Sequence, residues 1–268
     1  MVNSGFGYPR WRVLLACHVL WRELSVLTAC SRFSWRVEFL KRELHETPRL
    51  LHSRLQDAID LVEADLGDEG LLNSAVPFST EGQVPEAIVL GYGLCSRALE
   101  GLCSRRIPLV AARAHDCVAL QLGGRERYGS FFSAHPGTFW FSSGWAETTM
   151  FPSHCELEAY RQVLSRKYDD ADDVDYLMDC QTEWIGRYSH GAWINSRFSP
   201  ENDRLRERVM SVCREVGWGY FSVDYCDGLL RRLLDASLDG GDDDIVIARP
   251  GQTFVFTGDD DVIGVCDK

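Results

Sequence analysis

The chain has 268 residues, 45% of them hydrophobic and 25% charged, the balance of a globular protein with a sizeable core. Its formal net charge of −12, from 28 Lys+Arg against 40 Asp+Glu, excludes a sequence-independent nucleic-acid binder, which needs clustered cations. No stretch approaches the roughly 18 consecutive apolar residues of a membrane span, and none of the ten cysteines forms a CxxC pair, which excludes a zinc ribbon or thioredoxin-like motif.

In chain order, Trp11–Ala16 is an apolar run of strand length that Cys17 ends, and Leu20, Leu24 and Leu27 then recur at helical spacing. The run Val13–Leu20 is too short for a leader and has no small-residue cleavage site after it, so a cytoplasmic location is expected. In that compartment the cysteines are thiols or metal ligands and not disulfides. Ser34–Leu40 alternates as a strand, and Thr47-Pro48 opens a helix whose stripe runs through Leu51, Leu55, Ile59 and Val62. Residues 70–85 form a polar connection. Ala87–Gly91 and Ile107–Ala112 are two buried strands, predicted to be joined by a short helical crossover. A helix follows over Cys117–Phe132, weakened by Gly123-Gly124, and Gly137–Ser142 is a further strand.

Helices over Cys155–Lys167 and Asp173–Gly186 are expected to connect two halves. Strands at Ala192–Asn195, Tyr220–Val223, Asp244–Ala248 and Thr253–Thr257 then alternate with helices at Glu201–Val216 and Gly228–Ser237. This alternation predicts an α/β fold with Rossmann-like parallel sheets and right-handed crossovers. The expected organisation is two lobes facing a cleft, residues 1–150 with the functional site and 151–268 with the helical connection. The acidic runs 169–175, 242–244 and 259–261 are expected to be solvated loops.

Ligands of α/β sheets bind outside the carboxyl ends of the strands, and there the sequence concentrates soft and titratable groups. Cys17, Cys95, His115 and Cys117 follow three strand ends, in LLAC, GYGLC and RAHDC, and three thiols with an imidazole make a tetrahedral zinc or iron environment. The same residues allow a metal-free reading, in which His115, oriented by Asp116, activates Cys95 or Cys117 as a nucleophile. Plain packing of buried thiols is the third possibility. Gly91 and Gly93 permit a sharp turn or close approach of a ligand. Arg113 either pairs with Asp116 or Glu147 or binds an anionic group. Trp145 and Glu147 pair an aromatic with a carboxylate on a loop after a strand. Arg125 and Arg127 read as a solvated face or an anion site, and His190 as structural.

The segments LLACHVLWREL, VLGYGLCSRALEGL, IPLVAARAHDCVALQLGGRERY and HPGTFWFSSGW together resemble the bacterial and archaeal domain-of-unknown-function family 1638. The resemblance carries no established activity. It implies that Cys17, Cys95, Arg113, His115, Asp116 and Cys117 act as one site, and it suggests a link to anaerobic one-carbon and corrinoid methyl transfer. The departure from the family pattern after Trp145 leaves the second lobe less defined. The expected function is therefore metal binding by an α/β protein with zinc or iron, or a corrinoid, as cofactor. Its expected partners are a small anionic or cofactor-like molecule and a protein of a methyltransferase system. The alternatives are a non-catalytic metal- or cofactor-handling protein, and a metal-free Cys–His transferase or hydrolase. No nucleic acid or membrane is expected as partner.

Overall fold

The computed structural model describes residues 10–41, 44, 47–64 and 84–268. The expected connection at 70–85 lies outside them but for Val84 and Pro85. The chain is α/β, as its alternation predicts, and divides into two compact units: Met1–Arg125 with Cys226–Lys268, and Glu126–Tyr225. The expected boundary at residue 150 falls inside the second unit. No helix among the described residues is long and apolar enough to cross a membrane.

The first unit holds a five-stranded sheet. Strands β1 (Trp11–Cys17), β2 (Ser34–Leu40), β3 (Ile88–Gly91), β4 (Leu109–Ala112) and β8 (Ile245–Ala248) lie in the order β2-β1-β3-β4-β8. β1, β3 and β4 are buried along their whole length, which is why they read as continuous apolar runs. The β1–β2, β1–β3 and β3–β4 pairs are parallel. β8 runs antiparallel to β4, against the all-parallel expectation. It follows α9 (Gly228–Leu234), which packs on α1 (Trp21–Ala29), α3 (Cys117–Gln121), β3 and β4, and comes back along the sheet edge. A hairpin of β9 (Gln252–Phe256) and β10 (Ile263–Asp267) follows, and β10 was not foreseen.

Two further expectations fail for physical reasons. The β3–β4 connection is not a helix: Cys95, Ser96 and Arg97 form a left-handed turn, with φ of 47°, 56° and 70°. Side chains of α2 (Pro48–Ala64) take up the hydrogen bonds a crossover helix would have used. His52 Nδ1 meets the Ala98 carbonyl at 3.1 Å, and Gln56 Nε2 donates to the Cys103 carbonyl at 2.9 Å. Buried Glu63 accepts from Ser104 Oγ at 2.6 Å and from the Arg105 and Arg106 N–H groups. The helix expected over Cys117–Phe132 is two helices, α3 (Cys117–Gln121) and α4 (Arg125–Ala134). Gly123 and Gly124, at φ of 87° and 141°, separate them.

The second unit is built on the parallel sheet β5-β6-β7, from Thr138–Phe141, His190–Asn195 and Gly219–Asp224. Its core is aromatic, with Phe141, Phe151, Trp193 and Trp218 buried beside α8 (Asn202–Val216), whose Leu205, Val209, Val212 and Cys213 face inward. The indoles also bond: Trp193 Nε1 donates to Asn202 Oδ1 and Trp218 Nε1 to the Ile185 carbonyl, both at 3.2 Å. The short helix α5 (Ser143–Ala146) follows β5. Helices α6 (His154–Lys167) and α7 (Ala171–Thr182), expected to link the halves, pack on each other within this unit through Leu164, Val174 and Met178.

Candidate functional site

In the order β2-β1-β3-β4, chain direction across the sheet reverses between β1 and β3. That switch point is where the crevice of an open α/β sheet forms. Cys17 closes β1, Tyr92–Cys95 leaves β3, and Arg113–Cys117 leaves β4. The two loops are laced together: Leu94 N–H donates to the Ala114 carbonyl at 2.8 Å, and Cys95 N–H to the His115 carbonyl at 3.0 Å.

Gly93 allows this lacing. A Cβ there would lie 2.5–2.8 Å from the Asp116 backbone, and one on Gly91 would lie 2.6 Å from the Ala16 methyl. The glycines thus serve close packing of the chain on itself, and the ligand approach foreseen for them is taken by Asp116 and Ala16. Asp116 is the N-cap of α3, its Oδ1 accepting from Val118 N–H at 2.9 Å and Ala119 N–H at 3.0 Å. This cap sets the first turn of the helix that carries Cys117.

The three thiols meet. Cys17 and Cys95 are buried, and Cys117 is half-buried. A hydrogen bond from Cys17 favours the Cys117 thiolate, while its own bond to Cys95, burial, and the charges of Cys95 and Asp116 oppose it. The balance holds the Cys117 thiol well above the ordinary thiol range. Cys17 and Cys95 thus both neighbour Cys117. All three are free cysteines. Among the described residues no group of three or more His, Cys, Asp or Glu side chains is placed to hold a metal ion.

Beside the thiols lies Tyr92, which sequence reasoning passed over although it sits inside GYGLC. Burial first, then the charges of Cys17, Cys117 and Cys95, push its phenol far above the ordinary tyrosine range. The signal available was a large amphipathic side chain between two glycines at a strand end. The left-handed turn at Cys95–Arg97 also went unread, because nothing in Cys-Ser-Arg asks for positive φ. Each such residue costs roughly 1–2 kcal/mol.

The remaining candidates have other positions. His115 is exposed, and its carbonyl is what holds Cys95. The Arg113 guanidinium donates to the Ile263 carbonyl and lies 3.8 Å from Asp261 Oδ2. Arg125 reaches Asp261 Oδ1 at 3.0 Å and Asp244 Oδ1 at 3.5 Å, and Arg232 binds Asp242 and Asp244. The acidic runs 242–244 and 259–261 are thus counter-ions of the unit's arginines as well as loops. Arg127 donates to the Asp224 carbonyl at 3.0 Å.

Trp145 and Glu147 belong to the second unit. The Trp145 ring packs into its core, 4.9 Å from Phe141, 5.2 Å from Phe139 and 5.5 Å from Phe151 between centroids. His190 stands 2.9 Å from Ser189 Oγ through Nδ1, and 5.4 Å from the His135 ring.

No curated protein and no solved structure matches the chain. A family profile does, over residues 39–234, a span that takes in Cys95 and Cys117 and begins after Cys17. The chain belongs to that family, described as protein of unknown function (DUF1638).

Proposed function

We propose that Cys17, Cys95 and Cys117 bind a thiophilic metal ion, zinc or iron, at the switch point of the first unit's sheet. The observation that carries this is the meeting of three free thiols from three separate strand ends. Burial of single free cysteines is ordinary packing, but packing does not call for Cys17 and Cys95 both to neighbour Cys117. The donor chemistry fits: soft thiolates select zinc and iron.

Each residue's part follows from its place. The three sulfurs would hold the ion, Gly91 and Gly93 bring the loops together, and Asp116 fixes Cys117 through the α3 cap. Binding releases the thiol protons, so the raised Cys117 thiol makes uptake weaken as pH falls. A bound zinc ion with three protein ligands would supply a Lewis-acidic, exchangeable fourth position. A thiol or methyl-bearing cofactor would bind there, which is the chemistry that joins the site to corrinoid-dependent one-carbon transfer. The chain acts either as the transferase or as the protein that hands the ligand to a methyltransferase partner. The Cys–His nucleophile is less well supported, since His115 is exposed and the Cys117 thiol is held protonated.

The test is elemental analysis of anaerobically purified, reconstituted protein. About one zinc or iron per chain is expected in the wild type, with loss of metal in Cys95→Ser and Cys117→Ser at unchanged fold. A wild type that takes up no metal contradicts the proposal.

A further inference from the structure

Cys103 lies outside the thiol cluster, in the β3–β4 connection, and its sulfur meets an amine. Lys268 Nζ stands 3.0 Å from Cys103 Sγ, and it donates to no carboxylate among the described residues. Sulfur is a weak acceptor, so the contact adds little to stability; what it provides is proximity. The separation is that of a near-attack pair, about 3–3.5 Å. Hydrogen bonds hold both ends in place. Gln56 of α2 takes both main-chain groups of Cys103: its Nε2 donates to the Cys103 carbonyl at 2.9 Å, and its Oε1 accepts from the Cys103 N–H at 3.1 Å. Lys268 follows β10; its N–H donates to the Gly251 carbonyl at 3.0 Å, and Gly251 N–H donates to the Ser104 carbonyl at 3.1 Å. Two hydrogen bonds thus lead from the lysine's backbone to the residue after the cysteine. The hairpin is laced to the same stretch by Gly101 N–H on the Phe254 carbonyl at 2.9 Å and Thr253 Oγ1 on the Leu102 carbonyl at 3.0 Å. Cys103 is half-buried and Lys268 exposed, so a small oxidant reaches the pair.

We propose that Cys103 and Lys268 form a modification site, at which peroxide joins Sγ to Nζ as a sulfenamide and fastens the β9–β10 hairpin to the β3–β4 connection. Hydrogen peroxide gives one oxygen to the Cys103 sulfur, which becomes a sulfenic acid as water leaves. The neutral Lys268 amine then attacks that sulfur. The S–N bond forms, the S–O bond breaks, and the hydroxyl leaves as water with a proton from the nitrogen. In sum, the thiol and the amine each lose one hydrogen, the sulfur gives up two electrons, and one peroxide becomes two waters. Sulfenic acids condense in this way with nitrogen as well as with thiols. The hairpin's own thiol is out of reach. Cys103 and Cys266 pair with Thr253 from opposite sides, two strand spacings or about 9–10 Å apart, whereas a disulfide needs Cα atoms within about 7 Å. The link joins the connection that carries Cys95 to the hairpin that holds Arg113, through residues the metal reading does not use.

The test treats the full chain with hydrogen peroxide, as wild type, Cys103→Ser, Lys268→Arg and Cys266→Ser, and maps tryptic peptides by tandem mass spectrometry. Lys268 and Cys266 are exposed, so their variants keep the fold. A Cys103–Lys268 link lacking two hydrogens is expected in the wild type and in Cys266→Ser, and dithiothreitol should cleave it. It should be absent from Cys103→Ser and from Lys268→Arg, whose guanidinium stays protonated and cannot attack. Treated alike, the linked wild type should unfold at a higher temperature than Lys268→Arg, because the link closes a long loop, and reduction should remove the difference. Cys103 left as a thiol, or oxidised to sulfinic or sulfonic acid with Lys268 free, overturns the proposal. So does a link that survives Lys268→Arg, which makes it a disulfide, or one heavier by an oxygen, which makes it an N–O–S bridge. A link with equal unfolding temperatures overturns the fastening.

Discussion

The two units use the same device, parallel strands ending in loops rich in functional side chains, to opposite ends. In the first unit the strand ends deliver Cys17, Cys95 and Cys117 to one another, with Tyr92 beside them. In the second, β5 runs into Ser143–Ala146, and Trp145 turns back onto Phe139, Phe141 and Phe151 to complete the core. Placement at a strand's carboxyl end is therefore not itself a mark of function. What separates the units is where the side chains go: polar, ionisable groups converging in one, rings closing over a sheet in the other.

Trp145→Ala sharpens this contrast most. Removing a core indole should cost about 3–4 kcal/mol of stability, read by denaturant unfolding, while metal uptake by the refolded chain stays at the wild-type level. Gly93→Ala is the mirror experiment. Its new methyl meets the Asp116 backbone, which cannot give as a side chain could, so a loss of about 3 kcal/mol should come with faster alkylation of Cys95 and Cys117. Gly217→Ala supplies the control, since it changes a left-handed helix end with open space around it and should cost only about 1 kcal/mol.

A pH titration separates the units by another route. Burial raises the Cys213 thiol of the second unit's core from 9.0 to about 11. A thiol raised on folding contributes stability that is complete below pH 9 and lost as pH rises through about 11. Roughly 3 kcal/mol should disappear over that window, by 1.36 kcal/mol per unit. Cys213→Ala should flatten the pH dependence there; an unchanged slope would show the thiol plays no part. The smallest effect is a gain: Ser96→Gly relaxes one residue of the left-handed turn, and thermal unfolding should show about 1 kcal/mol of added stability.

The sequence made the thiols legible because buried strands are plain apolar runs, and their last residues can be counted. The Asp116 cap was equally open to reading, as an aspartate just before an apolar helix start, although it was assigned to the chemistry instead. What stayed hidden depends on distant partners. Arg113 is held by Asp261 and Ile263, residues brought back by β8 and the β9–β10 hairpin. The β3–β4 connection is shaped by His52, Gln56 and Glu63 of a helix that precedes it. No local propensity reports such tertiary demands. The unit boundary was missed for a related reason: the chain leaves the first unit at a double glycine that reads as a mere kink, then returns to it a hundred residues later.

The claim on which the account stands is that three strand ends bring three thiols together, and trivalent arsenic tests it directly, because one arsenic(III) can bond three convergent sulfurs. Mass spectrometry of the anaerobically treated native chain should show about one arsenic per chain, with Cys17, Cys95 and Cys117 together protected from alkylation and protection lost in any single Cys→Ser variant. Arsenic taken up with those three cysteines still alkylated, or no uptake at all, would contradict it.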